Sequence, residues 1–169
     1  MAEAPTIECV LNLSEGRNRK FLDELYGYLS EVEGCELVHQ DEGYDVNRTV
    51  ITLIGNVEPV FRAVEIIIIQ SGKYLNIHDH QGAHPRVGIL DVIPFVPLKG
   101  IDHEHLEKQV KAWSSQMAQQ HKMPIILYGD MATQAEASTL AKIRKGRLPK
   151  LKARIDQQEI AIDLSLIHI

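Results

Sequence analysis

The chain has 169 residues, 44% of them apolar and 24% charged, and carries a net charge of −5 with the histidines neutral. That composition excludes a disordered polymer, and the charge gives no global attraction to nucleic acid or to an anionic membrane surface. The longest apolar cluster, the four isoleucines at 66–69, is far too short to span a bilayer, and Met-Ala-Glu-Ala-Pro lacks the regions of a signal peptide, so one cytoplasmic domain is expected.

Residues 7–13 predict a first strand, with Ile7, Cys9, Leu11 and Leu13 on one face. Phe21, Leu22, Leu25, Leu29 and Val32 recur at helical spacing, which predicts a helix over 19–33 that stops at Gly34. Residues 35–40 form a second strand, residues 41–45 a turn, and the β-branched run 48–54 a third strand. Pro59 fits the first turn of a second helix reaching Gln70 or Tyr74. A fourth strand covers 87–96, where Pro94 and Pro97 mark an edge or a bulge. Asp102 caps a third helix with Leu106, Val110, Trp113 and Met117 on its apolar stripe. A short buried strand at 125–128 and a fourth helix over 135–145, ended by Gly146, complete the order. The basic stretch 142–154 reads as a solvated helical face. Cys9 and Cys35 read as buried thiols in a reducing compartment, since they have no metal spacing and do not make a disulfide scaffold. This succession predicts an α/β (α+β) sandwich, a mixed sheet of five to six strands with helices mainly on one face.

The chemistry is expected in residues 75–88. His78, His80 and His84 fall within seven residues, with Asp79 between the first two and Arg86 close behind. Gly82, Gly88 and Pro85 shape the backbone between two apolar elements, a usual setting for function. Two readings stand side by side. One takes a histidine as acid–base catalyst, with a neighbouring carboxylate such as Asp41 fixing its tautomer. The other takes His78, His80 and His84 as ligands of a hydrolytic metal, against which stand Pro85 and the two glycines, because they make three convergent imidazoles hard to arrange. His84 is balanced between substrate contact and loop-fixing hydrogen bonds.

Four blocks resemble the formiminotransferase family. They are Ile7-Glu-Cys-Val-Leu-Asn-Leu-Ser-Glu-Gly16, then Asp41-Glu-Gly with Asn47-Arg-Thr-Val50, then the long run from His80-Gln-Gly-Ala-His-Pro-Arg to Pro97, and Ile126-Leu-Tyr-Gly-Asp130. The likeness covers residues 7 to 146 and corresponds to the family's N-terminal subdomain. It implies transfer of a formimino group between N-formimidoyl-L-glutamate and tetrahydrofolate, the latter as co-substrate, with no metal. It puts the catalytic general base on His80 and substrate or folate contacts on Asp41, Asn47, Arg48, His84 and Arg86. The chain departs from the family pattern at Leu11 and Leu13, where Pro and Phe are usual, and at Ala83, where Glu is common. The resemblance also implies a homodimer when the protein is complete, with small-molecule partners and neither nucleic acid nor membrane. A non-catalytic folate-binding module is the other class it leaves open.

The same resemblance sets the N-terminal subdomain at 1–163 and puts the family's Gly-rich folate segment just past Asp163. It implies that the C-terminal subdomain is absent here, so that the chain as given is expected to be a truncated and inactive fragment. Residues 164–169, Leu-Ser-Leu-Ile-His-Ile, are expected to be a non-native tail, because codons for them can spell the end of a common transposon-based sequencing adapter.

Overall fold

The computed structural model describes residues 4–83 and 86–163. Among these, residues 4–83 and 88–106 form one compact unit, and residues 86–87 and 107–163 a second. The expectations placed on His84 and on the 164–169 tail lie outside the described residues.

The first unit is organised on β1 (Thr6–Leu13), the central strand. Strict alternation puts Ile7, Cys9, Leu11 and Leu13 out of contact with solvent, while the residues between them stay half-buried. β1 pairs with β3 (Arg48–Asn56), and β3 pairs with β2 (Cys35–Gly43). On its other side β1 pairs with β4 (Leu90–Val92) and β5 (Phe95–Lys99). The expected α/β fold is therefore present, with five strands. It differs from the expected mixed sheet in one respect: every described pairing is antiparallel.

Two helices cover the buried face. α1 (Arg19–Ser30) begins where the Asn18 side chain accepts a hydrogen bond from the Phe21 N–H at 3.1 Å, and it buries Phe21, Leu22, Leu25 and Leu29. α2 (Val57–Tyr74) carries Pro59 in its first turn, as expected, and sends Phe61 edge-on against Phe95 of β5, with ring centroids 5.2 Å apart. Replacing Leu11 by alanine beneath these helices is expected to cost about 2–5 kcal/mol. A lower urea midpoint at unchanged slope is the expected reading; an unmoved midpoint would take β1 out of the core.

Several boundaries differ from the sequence reading. α1 ends at Ser30 because the chain must turn into β2, which it does through Gly34 at φ +81; Val32 prolongs the apolar period because it is buried outside the helix. Asp41, Glu42 and Gly43 do not form a turn but continue the ladder opposite Val50, Thr49 and Arg48. Four residues, 44–47, suffice for the turn because Asn47 takes the left-handed conformation at φ +51, one that asparagine tolerates. The strand expected over 87–96 is cut at Ile93-Pro94, since proline has no N–H for the ladder. Its halves lie along the sheet edge with register shifts, in line with the edge that Pro94 and Pro97 predicted.

α3 (His103–His121) begins as expected. Asp102 accepts from the His105 N–H at 2.9 Å, and this backbone bond, above the other contacts, holds its carboxyl below the usual carboxylate range. Leu106, Val110 and Met117 are buried and Trp113 is half-buried. The division between the two units falls inside this helix.

In the second unit, residues 125–128 form a single bridge at Ile125 instead of a strand. The helix expected over 135–145 is broken into one 3₁₀ turn (Ala135–Ala137) and α4 (Leu140–Arg144), because the Thr139 side chain caps a new start by accepting from Lys142 N. Gly146 at φ +81 then turns the chain into α5 (Arg147–Asp156), the helical form of the basic stretch. Ala137, Ile143, Leu151 and Ile160 form a buried hydrophobic cluster in this unit. Asp163 closes it, accepting from the Leu127 N–H at 2.9 Å and from the Thr133 hydroxyl, while its own N–H donates to the Ile125 carbonyl.

Candidate active site

Three connections of the first unit are tied together: the β1–α1 loop (14–18), the β2–β3 turn (44–47), and the long segment between α2 and β4. Ser14 binds that segment twice, its N–H donating to Ile89 O at 2.7 Å and its hydroxyl to Gly88 O at 2.8 Å. Thr49 donates its hydroxyl to Glu15 O at 2.6 Å. The Glu15 carboxylate folds back over three successive backbone N–H groups, those of Gly16, Arg17 and Asn18, at 2.9, 2.7 and 2.9 Å. Such a concavity of N–H groups favours an anion, and here the chain supplies its own. Arg17 donates to the carbonyls of Tyr44 and Asp45 and stacks 5.2 Å from the Tyr44 ring.

Asn47 joins all three connections. Its Oδ1 accepts from the Gly16 N–H at 2.9 Å, its Nδ2 donates to Gln81 O at 3.0 Å, and its backbone carbonyl meets His80 Nε2 at 2.7 Å. A carbonyl only accepts, so Nε2 carries the ring proton and the neutral imidazole has its lone pair on Nδ1. The group that meets Nε2 is the Asn47 backbone carbonyl. The two glycines at this junction are sterically required. A Cβ at Gly16 would stand 2.7 Å from Arg48 N, and one at Gly82 would stand 2.2 Å from Val46 O.

The other expected residues divide. Glu42 faces α1, accepting from the Tyr26 hydroxyl at 2.9 Å and pairing with Arg19. Alternation then turns Asp41 to the opposite face, which it shares with Val50 and, one row on, with Arg48. Val10, Val50 and Ile54 are half-buried on this second face, Asp41 is exposed and Arg48 is half-buried. Asp41 and Arg48 thus offer charge on a partly apolar surface. Asn47, for which the resemblance implies ligand contact, is only 7% exposed, and both ends of its carboxamide are engaged by backbone. Arg86 is half-buried and belongs to the second unit. His78 is exposed, and its N–H is held by Asn76 Oδ1. Among the described residues no group of three histidine, cysteine, aspartate or glutamate side chains converges as metal ligands. Burial lifts the Cys9 thiol far above its ordinary range and pushes Cys35 up to about 11, so neither is a ready nucleophile.

Sequence reasoning gave no role to Ser14, Glu15 and Gly16. The available signal was a polar, glycine-ended break directly after a buried strand.

The profile described as the formiminotransferase domain, N-terminal subdomain, matches residues 6–168. The chain belongs to the formiminotransferase family. It is 34% identical over 153 residues to the formimidoyltransferase-cyclodeaminase of Rattus norvegicus, covering 90% of this chain and 28% of that protein. It is 31% identical over 160 residues to the glutamate formimidoyltransferase of Streptococcus pyogenes serotype M1, covering 95% of this chain and 54% of that one. With the glutamate formimidoyltransferase of Thermoplasma acidophilum it shares 30% identity over 138 residues, 82% of this chain and 46% of the relative. The chain therefore spans about half the length of these two formimidoyltransferases and less than a third of the rat protein. As a formiminotransferase N-terminal subdomain, it bears out both the family and the fold class that the sequence blocks implied.

Proposed function

We propose that this chain provides the base-bearing part of an enzyme that transfers a formimino group between N-formimidoyl-L-glutamate and tetrahydrofolate. The observation that carries the reading is His80, fixed by Nε2–H to Asn47 O so that Nδ1 is the proton-accepting atom. In the transfer, the folate nitrogen attacks the amidine carbon, the bond from that carbon to the glutamate nitrogen breaks, and a proton leaves the first nitrogen for the second. One imidazole nitrogen can take that proton and return it. Nδ1 is buried, so substrate reaches it only where the loop yields.

The face bearing Asp41 and Arg48 suits both reactants. Each carries glutamate carboxylates for an arginine, and the pterin ring matches the half-buried valines and isoleucine. The reading carries with it a cytoplasmic homodimer whose partners are these small molecules, with no resident metal. Arg48→Ala is expected to raise KM by about ten- to a hundredfold, the loss of one charge-assisted bond. A large fall in kcat at constant KM would instead place Arg48 on the reacting group.

The function itself is tested by incubating the protein that carries this chain with formimidoylglutamate and tetrahydrofolate, and following the one-carbon unit onto folate. Running formylglutamate in parallel separates formimino from formyl transfer. No transfer from either donor would overturn the proposal.

A further inference from the structure

The geometry points to Asn47 as a positioning residue that selects the tautomer of His80, in place of a residue that binds substrate. Three observations carry this. Asn47 is nearly buried at 7% exposure, which leaves little of it to offer a ligand. Its carboxamide is used at both ends within the chain, on Gly16 N and Gln81 O, and the second of these belongs to the residue directly after His80. Its backbone sits at φ +51, and in that conformation its carbonyl meets the ring at 2.7 Å.

The carbonyl does chemical work here because imidazole in water exists as two neutral tautomers. An acceptor fixed at one nitrogen holds the proton there and commits the lone pair to the other. Asn47 thus combines two tasks. The left-handed backbone aims the acceptor, and the carboxamide clamps the loop that brings the ring to it. Among side-chain-bearing residues, asparagine is one of the few that occupy this conformation easily while offering both a donor and an acceptor. The kinetic part of the inference rests on His80 being the base; the tautomer part does not.

The test uses the chain labelled with ¹⁵N-histidine, the other histidines serving as internal controls. Long-range proton–nitrogen spectra are expected to show wild-type His80 as the Nε2–H form. Asn47→Ala, which loses both anchors and strains the backbone, is expected to mix the two forms and to lower kcat about 10²-fold with KM nearly unchanged. Asn47→Gly keeps the left-handed backbone and is expected to fall between the two. Wild-type His80 in the Nδ1–H form overturns the inference, as does an unchanged tautomer in both variants. A raised KM at constant kcat overturns it as well, since that would make Asn47 a substrate contact. Should Asn47→Ala fail to fold, the wild-type and Asn47→Gly spectra decide alone. A tautomer that follows Asn47 in a protein that transfers no formimino group would support the positioning role while refuting the proposed function.

Discussion

His80→Ala is expected to lower formimino transfer by about 10²–10⁴-fold, the contribution of one well-placed general base. The substitution also removes the donor to Asn47 O, so loss of the base and displacement of the loop are mixed in its effect. His80→Gln separates the two. Its amide can still donate to that carbonyl, but it has no lone pair suited to taking a proton at neutral pH. Both variants are therefore expected to be inactive, with His80→Gln the closer to wild type in stability. Turnover near wild type in His80→Gln would show that the ring matters for shape alone, and the proton route would have to be sought elsewhere.

Gly82→Ala is the second large effect expected. The added methyl would lie 2.2 Å from Val46 O, 3.1 Å from Val46 C and 2.8 Å from His80 Cε1. Two of these neighbours are backbone, so no rotamer change relieves the clash, and the loop must move off the 44–47 turn. A shift of about 1 Å at His80 is expected to cost on the order of 10² in the rate of the proposed transfer. Gly72 offers the control. It lies in α2, and a methyl added there would meet nothing within 4 Å, so alanine is expected to leave rate intact and stability equal or slightly higher. Equal rates for the two alanine variants would mean that the loop does not need its seat on the turn.

The parts of the fold that were readable in the sequence are those whose signal is periodic. β1 and β3 alternate and α2 repeats at helical spacing because each buries one face, and burial leaves a pattern in the chain. The errors lie where a single residue decides. Val32 is buried without being helical, Pro94 cuts one apolar run into two strands, and Thr139 restarts a helix. The site divides in the same way. His80 stands in a block specific enough to mark it, whereas the partners of Asn47 lie 31, 34 and 33 positions away, at Gly16, Gln81 and His80. Contacts of that range have no local signature. An asparagine ahead of a strand reads as an ordinary turn residue until the backbone shows where its carbonyl points.

The central place of β1 in the sheet has a consequence for how the protein is made. Among the strands of this sheet β1 leaves the ribosome first, yet its partners on its two sides are residues 48–56 and 90–99. Until those segments emerge, Ile7, Leu11 and Leu13 stand on a strand with two bare edges, the kind of surface that draws aggregation or a chaperone. β3 closes one side first, and the second side stays open while α2 and the segment bearing His80 are still being synthesised. Ser14 can seize Gly88 and Ile89 only once that segment is out, so the loop bearing His80 is clamped late, by the arrival of the edge strands that follow it.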